Sequence, residues 1–303
     1  MHTLEIVPRG PFSLEAATTF AGGFAASIGG GGATPAGIVM AFPVEGWAGS
    51  AAADVGQSDD GVVHVRIATT GSPSADAALT QVARTLSLDH DGSGWPAVGN
   101  RDPVIGRLQA KHAFLRPVCF YSAYEAVTSF VIGQRIARRQ AARIKAWLGD
   151  QLGDRIDVDG APHTAFPRPQ RLLELREAPG LNALKVERLH GLAEAALDGR
   201  LDTERLRSLP IERAMDELMG LKGVGGFTAE GTILRGCGVV DELPRDPLNR
   251  EAIAELYGLE TLDDAAWTEI TDRWRPYRMW ATVLLRVGWE RAEPGRSYRH
   301  RPG

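Results

Sequence analysis

The segment that most restricts the fold is M-D-E-L-M-G-L-K-G-V-G-G-F-T-A-E-G-T-I-L-R-G, residues 215–236. Two helical patterns are separated there by L-K-G-V-G-G. Gly223 and Gly225 let the backbone turn tightly and approach a partner without obstruction from a Cβ atom. The second helix begins at about Gly225–Thr228, so its free N–H groups and the positive end of its dipole point beyond the turn. Such an end binds anions, phosphate among them. Gly223, Gly225, Gly226 and Thr228 are therefore the expected contacts. A lone G-V-G is better explained by an ordinary helix corner, and it is the whole string L-x-G-V-G-x-F-T-A that favours the anion site.

About twenty residues further on comes V-D-E-L-P-R-D-P-L-N-R. Asp246 directly precedes Pro247 and a helical pattern over Leu248–Tyr257. Aspartate at the N-cap with proline at the first helical position makes a good helix start. A carboxylate held at a cap is also rigid and aimed out of the helix end, which suits a catalytic role, and the two readings are compatible.

Charge is unevenly distributed over the 303 residues, whose net charge is −4. Residues 1–100 hold three arginines, no lysine and nine carboxylates, a balance of −6. The remainder stands at +2, and residues 101–145 alone carry nine bases against Asp102 and Glu125, or +7. Such a run is either a solvated helix face or a local phosphate-binding surface on a chain kept soluble by an acidic partner domain.

The organisation follows the same division. L-E-I-V near the start, 37–44 and 61–68 are strand-like, while 12–21 and 75–86 have helical spacing. The glycine tract 29–32 and the stretch 47–60 read as mobile loops. From about residue 101 the pattern is nearly continuous helix with no strand, and the tail after Trp289 is basic and frayed. The expected class is α+β: an amino-terminal antiparallel sheet domain with helices over 1–100, then an all-α body over 101–303. No run approaches the ~18 apolar residues of a membrane span, and the start lacks the basic-then-apolar order of a targeting peptide. Two cysteines, Cys119 and Cys237, exclude a disulfide scaffold and fit a reducing cytoplasm. None of the seven histidines has a metal-ligand spacing.

The hairpin followed by P-R-D resembles the helix-hairpin-helix DNA glycosylase superfamily, and within it the AlkA-type 3-methyladenine glycosylase II. The likeness extends to A-F-L-R-P-V…Y-E-A-V-T-S-F-V-I-G-Q-R-I-A at 113–137, F-P-R-P-Q-R-L at 166–172, L-K-V-E-R-L-H-G-L-A-E-A-A-L-D-G-R-L at 184–201 and W-R-P-Y-R-M-W-A at 274–281. Before residue 101 it is looser, through V-V-H-V-R-I and V-G-N-R-D-P-V-I-G-R-L.

The resemblance implies base excision: a damaged nucleotide is flipped from double-stranded DNA and its N-glycosidic bond is cleaved. It makes Asp246 the essential carboxylate. Arg250, on the helix that Asp246 starts, would contact DNA. The wedge that fills the gap left by the base follows a Gln, here Gln134, which puts it at Arg135, or at Ile136 if the register slips by one. Arg135 could equally be one more phosphate contact. The base pocket is lined by aromatic side chains in this family. Phe227 keeps one, Gly231 replaces another, and Arg286 falls where a stacking tryptophan would align. Tyr124 and Trp280 are further candidates for that lining, although Trp274, Trp280 and Trp289 also read as core. The family's hairpin holds a monovalent cation, Na⁺ or K⁺, on main-chain carbonyls that match Met219, Leu221 and Val224.

Related enzymes that also cut the strand carry a lysine where this chain has Phe227, so the resemblance implies a monofunctional enzyme. With no cysteine after Cys237, the iron–sulfur cluster of other branches has no ligands. The expectation is thus a cytoplasmic, nucleoid-associated monomer acting on alkylated purines in base excision repair. Its rivals are a same-fold glycosylase for deaminated, oxidised or bulky lesions, and a non-catalytic lesion-binding protein.

Overall fold

A computed structural model describes residues 2–23, 32–34, 37–244 and 246–292. The amino-terminal part runs β1 (His2–Ile6), α1 (Leu14–Gly23), β2 (Gly32–Thr34), β3 (Gly37–Pro43), β4 (Gly49–Gln57), β5 (Val63–Gly71) and α2 (Ala75–Thr85). Its strands form one antiparallel sheet in the order β1-β5-β4-β3-β2. Helices α3 (Trp95–Arg101), α4 (Pro103–Lys111), α5 (Ala123–Gly133) and α6 (Arg138–Leu152) follow, then a hairpin of β6 (Arg155–Val158) and β7 (Ala161–Thr164). The chain continues through α7 (Pro169–Leu172), α8 (Ala183–Leu197), α9 (Thr203–Ser208), α10 (Ile211–Met219) and α11 (Gly226–Gly231), which passes into a π-helical turn at Thr232–Gly236. It ends with α12 (Pro247–Leu256), α13 (Asp264–Asp272) and α14 (Arg278–Ala292). The α+β class read from the sequence is the class observed. The basic tail from residue 293, like glycines 29–31, lies outside the described residues.

Two expectations are corrected. Residues 47–60 are mostly strand: β4, G-S-A-A-A-D-V-G-Q, sits in the middle of the sheet, paired with β3 and β5. Alanine and glycine have low strand propensity, but here both faces of the strand are covered, and small side chains suit that position. Ala51, Ala53 and Val55 face a core shared with Val82 of α2, Val118 and Tyr121. Ala52 faces the other way, toward Ile156 and Val158. Those two belong to the β6–β7 hairpin, which is the second correction, since it interrupts the helical body and lies on the amino-terminal sheet.

Packing crosses residue 100 at several points. Trp47 sits in the helical core with Tyr124 and Leu189, and its Nε1 donates to the Ala196 carbonyl at 3.2 Å. Buried Arg84 reaches Glu45, the Tyr121 carbonyl and Glu204. Trp95 joins Trp274, Trp280 and Leu284 in the carboxy-terminal core. The sheet and the helical body are therefore joined through buried side chains.

The basic run of 101–145 divides in three dimensions. Arg116 is buried, donates to the carbonyls of Arg9, Pro11 and Ser87, and lies 5.2 Å from the Trp280 ring centroid. Lys145 is buried against Glu125 at 2.6 Å, and Arg101 is spent on the carbonyls of Arg273 and Arg275. Arg135, Arg138, Arg139 and Arg143 stay exposed together at the start of α6. Among the described residues no helix is long and apolar enough to cross a membrane.

Candidate active site at the hairpin and the Asp246 cap

Helix α10 ends at Gly220, and the chain turns back with Leu221 N donating to the Leu218 carbonyl and Val224 N to the Leu221 carbonyl. Gly223 has φ +87°, and a Cβ there would lie 2.5 Å from Cδ of Arg188. Glycine is therefore required both by the left-handed backbone and by the close approach. Gln134 clamps this loop: its Nε2 donates to the Gly223 carbonyl at 2.8 Å and its Oε1 accepts from Arg188 at 3.2 Å. Lys185 Nζ donates to the carbonyls of Ile132 and Gln134, both at 2.8 Å. The end of α5 is thus tied to the hairpin.

The residue after the clamp is Arg135, exposed and at φ +58°. A left-handed backbone is costly for a side chain of this kind, by about 1–2 kcal/mol. It turns Arg135 outward, while Ile136 packs against the helical core.

Helix α11 starts with Gly225 as N-cap, and its first intrahelical bond runs from Ala229 N to the Gly225 carbonyl at 2.9 Å. The N–H groups of Gly226, Phe227 and Thr228 precede that bond, as at any helix start. Gly225 and Gly226 are exposed, with no atom within 4 Å of an added Cβ. The Thr228 side chain is buried, so of this residue only the backbone N–H is at the helix start. The following π-turn closes with Cys237 N on the Thr232 carbonyl at 2.9 Å, a bond five residues back of the kind often found near functional sites.

Phe227 projects from the hairpin, 58% exposed. Its ring meets that of Phe130 edge to face at 5.9 Å, and Phe130 in turn lies 5.6 Å from Phe120. Gly231 belongs to the same group, because a Cβ there would lie 2.5 Å from Cζ of Phe130. A ring from α5 thus stands directly over Gly231. Phe130 was not anticipated, since only the tertiary approach of α5 to α11 makes Gly231 its partner.

Asp246 caps α12, its Oδ1 accepting from Leu248 N at 3.0 Å. Its Oδ2 stands 3.9 Å from Nη1 of Arg286. Both are partly shielded, at 25% and 18% side-chain exposure. The Arg286 guanidinium lies 5.3 Å from the ring centroid of Trp289, whose Nε1 donates to Glu255 at 3.0 Å. Asp246 opens on a cleft of about 350 Å³ lined also by Glu242, Leu243, Pro244, Arg250, Trp267 and Arg278. Arg278 there pairs with Asp241 at 2.8 Å.

Two sequence candidates are placed elsewhere, and a third, Arg250, lines the cleft with its side chain turned to partners of its own. Tyr124 is wholly buried, edge-on to Trp47 with its hydroxyl on the Pro167 carbonyl, so it is a core residue and not a pocket wall. Trp280 is enclosed by Trp95, Tyr277 and Arg116, a core position like those of Trp274 and Trp289. Arg250 is turned to the Leu262 carbonyl and Asp264 and lies over Trp267, which engages its donors within the protein. Among the described residues no group of three or more His, Cys, Asp or Glu side chains is assembled that could hold a metal ion. In the hairpin, the carbonyls of Met219 and Val224 accept no hydrogen bond among the described residues, and that of Leu221 accepts one. Unused carbonyl oxygens are the donor type that a hard cation takes.

No family model matches the chain. DNA-3-methyladenine glycosylase 2 of Escherichia coli K12 is 29% identical over 237 residues, which cover 75% of this chain and 78% of that protein. A probable bifunctional transcriptional activator/DNA repair enzyme AlkA of Mycobacterium tuberculosis is 31% identical over 215 residues, 69% of this chain but 42% of that longer protein. The fold matches a 3-methyladenine DNA-glycosylase from Archaeoglobus fulgidus with TM-score 0.74 at 20% identity, over 96% of this chain and 99% of that one. It also matches an 8-oxoguanine glycosylase/lyase from Clostridium acetobutylicum with TM-score 0.67 at 15% identity, over 94% and 95%. The glycine hairpin, the capping aspartate and this likeness make the chain similar to the AlkA-type enzymes of the helix-hairpin-helix DNA glycosylase superfamily and support that family for it.

Proposed function

We propose that the protein is a monofunctional DNA glycosylase of base excision repair, which flips an alkylated purine out of double-stranded DNA and hydrolyses its N-glycosidic bond. The observation that carries this reading is the Asp246 carboxylate, fixed by its cap bond to Leu248 and open to a cleft in a hairpin-bearing fold. As the C1′–N bond breaks, its electron pair leaves with the base and positive charge builds on the sugar. A fixed carboxylate stabilises that charge and orients the water that attacks C1′, whose proton passes to the carboxylate or to solvent. A base already cationic from alkylation leaves readily, so one carboxylate suffices.

The other residues bind and position. The N–H groups at the start of α11 and the exposed arginines Arg139 and Arg143 hold DNA phosphates. Arg135 fills the space the flipped base vacates, and Phe227 with Phe130 stacks on the base. The carbonyls of Met219, Leu221 and Val224 would hold a monovalent cation that screens a phosphate at the hairpin. Phe227 offers no amine for a Schiff base, which supports hydrolysis without strand cutting. The protein acts as a monomer in this reading.

Duplexes carrying 3-methyladenine, 7-methylguanine, hypoxanthine or ethenoadenine, followed by alkaline cleavage at abasic sites, test it. Excision of at least one lesion, with strands cut only after alkali, is expected. No excision would overturn the enzyme reading and leave a lesion-binding protein. Cutting before alkali would overturn the monofunctional one. Arg286 beside Asp246 favours a second reading in which the preferred lesion is not 3-methyladenine.

A further inference from the structure

A cation placed against the Asp246 carboxylate changes what the site can accept. Arg286 stands 3.9 Å from Asp246, and Trp289, itself anchored by Glu255, backs the guanidinium. The arginines that line the Asp246 cleft itself are already paired: Arg250 to Asp264, and Arg278 to Asp241 and, at 3.8 Å, to Glu242. The charge on Asp246 is thus met by a fixed guanidinium before any substrate arrives. A purine carrying a permanent positive charge would meet like charge there, and it gains less from the carboxylate than it would at an unpaired one.

An uncharged damaged base faces the opposite balance. Its difficulty is leaving, because negative charge develops on its ring nitrogens and carbonyl as the C1′–N bond breaks. A guanidinium has several N–H donors in a rigid fork, it keeps its charge at any working pH, and it suits acceptors such as a purine N7 and O6. Donors aimed at developing charge lower the barrier for such a group.

We propose that Arg286 is a specificity-determining residue that directs this site toward uncharged damaged purines with a hydrogen-bond acceptor on the edge turned to it, such as hypoxanthine, over cationic N-alkylated ones. The proposal rests on the glycosylase reading above and names the substrate class of that same site. In the step, the C1′–N pair goes to the base, whose charge Arg286 stabilises by hydrogen bonding. Water adds at C1′ and gives its proton to Asp246 or solvent, and solvent protonates the departing base.

Single-turnover excision is measured for the wild type, Arg286→Met and Arg286→Lys on duplexes containing hypoxanthine or 7-methylguanine, with circular dichroism to confirm the fold. Arg286→Met should lower the hypoxanthine-to-7-methylguanine rate ratio at least ten-fold, and Arg286→Lys, which keeps charge but not the fork, should fall between. Equal losses on both lesions would overturn the proposal, since they would mean that Arg286 serves Asp246 or the fold alone. Should Arg286→Met fail to fold, the ratio for Arg286→Lys decides, and an unchanged ratio overturns the proposal. Failure of the wild type on every damaged base is a different result and would strike the glycosylase reading itself.

Discussion

Gly231→Ala separates the packing argument at the hairpin from ordinary helix energetics. Gly231 has helical backbone angles, φ −59° and ψ −34°, so alanine should gain up to about 1 kcal/mol from propensity alone. Its Cβ, however, would stand 2.5, 2.9 and 3.1 Å from three atoms of the Phe130 ring, where carbon contacts settle near ~3.5–4.0 Å. The ring must retreat by roughly 1 Å. Overpacking of this kind costs about 1–3 kcal/mol, and losing the edge-to-face contact with Phe227 adds ~0.5–1.5 kcal/mol. Because Phe130 is only partly buried and can swing outward, the low end applies. A net loss of about 0.5 kcal/mol is expected, read as a lower urea midpoint. In a Phe130→Ala background the obstacle is gone and the same change should stabilise. A double-mutant cycle measures this directly. Equal destabilisation in both backgrounds would refute the reasoning. Single-turnover excision should fall with Gly231→Ala by more than its stability loss explains, because the displaced ring is one wall of the proposed base slot.

Two further outcomes follow from charges of opposite burial. Arg139→Ala and Arg143→Ala should each weaken DNA binding regardless of sequence and reduce the slope of log K against log salt by about one, measured by fluorescence anisotropy across a salt series. Lys145→Met should strand the wholly buried Glu125 carboxylate, whose pKa burial already raises and Lys145 lowers. Breaking such a pair costs about 3–5 kcal/mol at neutral pH. The folded pKa of Glu125 then lies still further above its unfolded value. Stability is therefore retained below the unfolded carboxylate range and lost as pH rises through the folded pKa. Urea midpoints should show the deficit of Lys145→Met shrinking as pH falls, and adding Glu125→Gln should recover most of it.

The hairpin, the Asp246 cap and most helices were readable because each depends on local chemistry: glycine where φ is positive, aspartate before proline, apolar residues at helical spacing. What escaped depends on contacts between distant segments. β4 is alanine and glycine, and it becomes a central strand only when a second layer, the β6–β7 hairpin, covers its outer face. The run of bases from Arg101 to Lys145 looked like one surface, yet Arg116 and Lys145 turn inward to carbonyls, rings and Glu125. Tyr124 and Trp280 were aromatic and near the right motifs, but spacing alone does not distinguish a pocket wall from a core residue. In the same way Gly231 and Arg286 looked like losses from an aromatic pocket. The fold sets the Phe130 ring over Gly231 and the arginine against the aspartate.

The central claim is that Asp246 drives hydrolysis of a damaged base from duplex DNA. Asp246→Asn keeps the side-chain oxygen that caps α12, and asparagine caps about as well as aspartate, so the fold and the binding of abasic-site duplex should survive. Single-turnover excision on the best wild-type lesion is the measurement. The account predicts a loss of at least a hundred-fold with unchanged thermal stability, and excision by Asp246→Asn at the wild-type rate would contradict it.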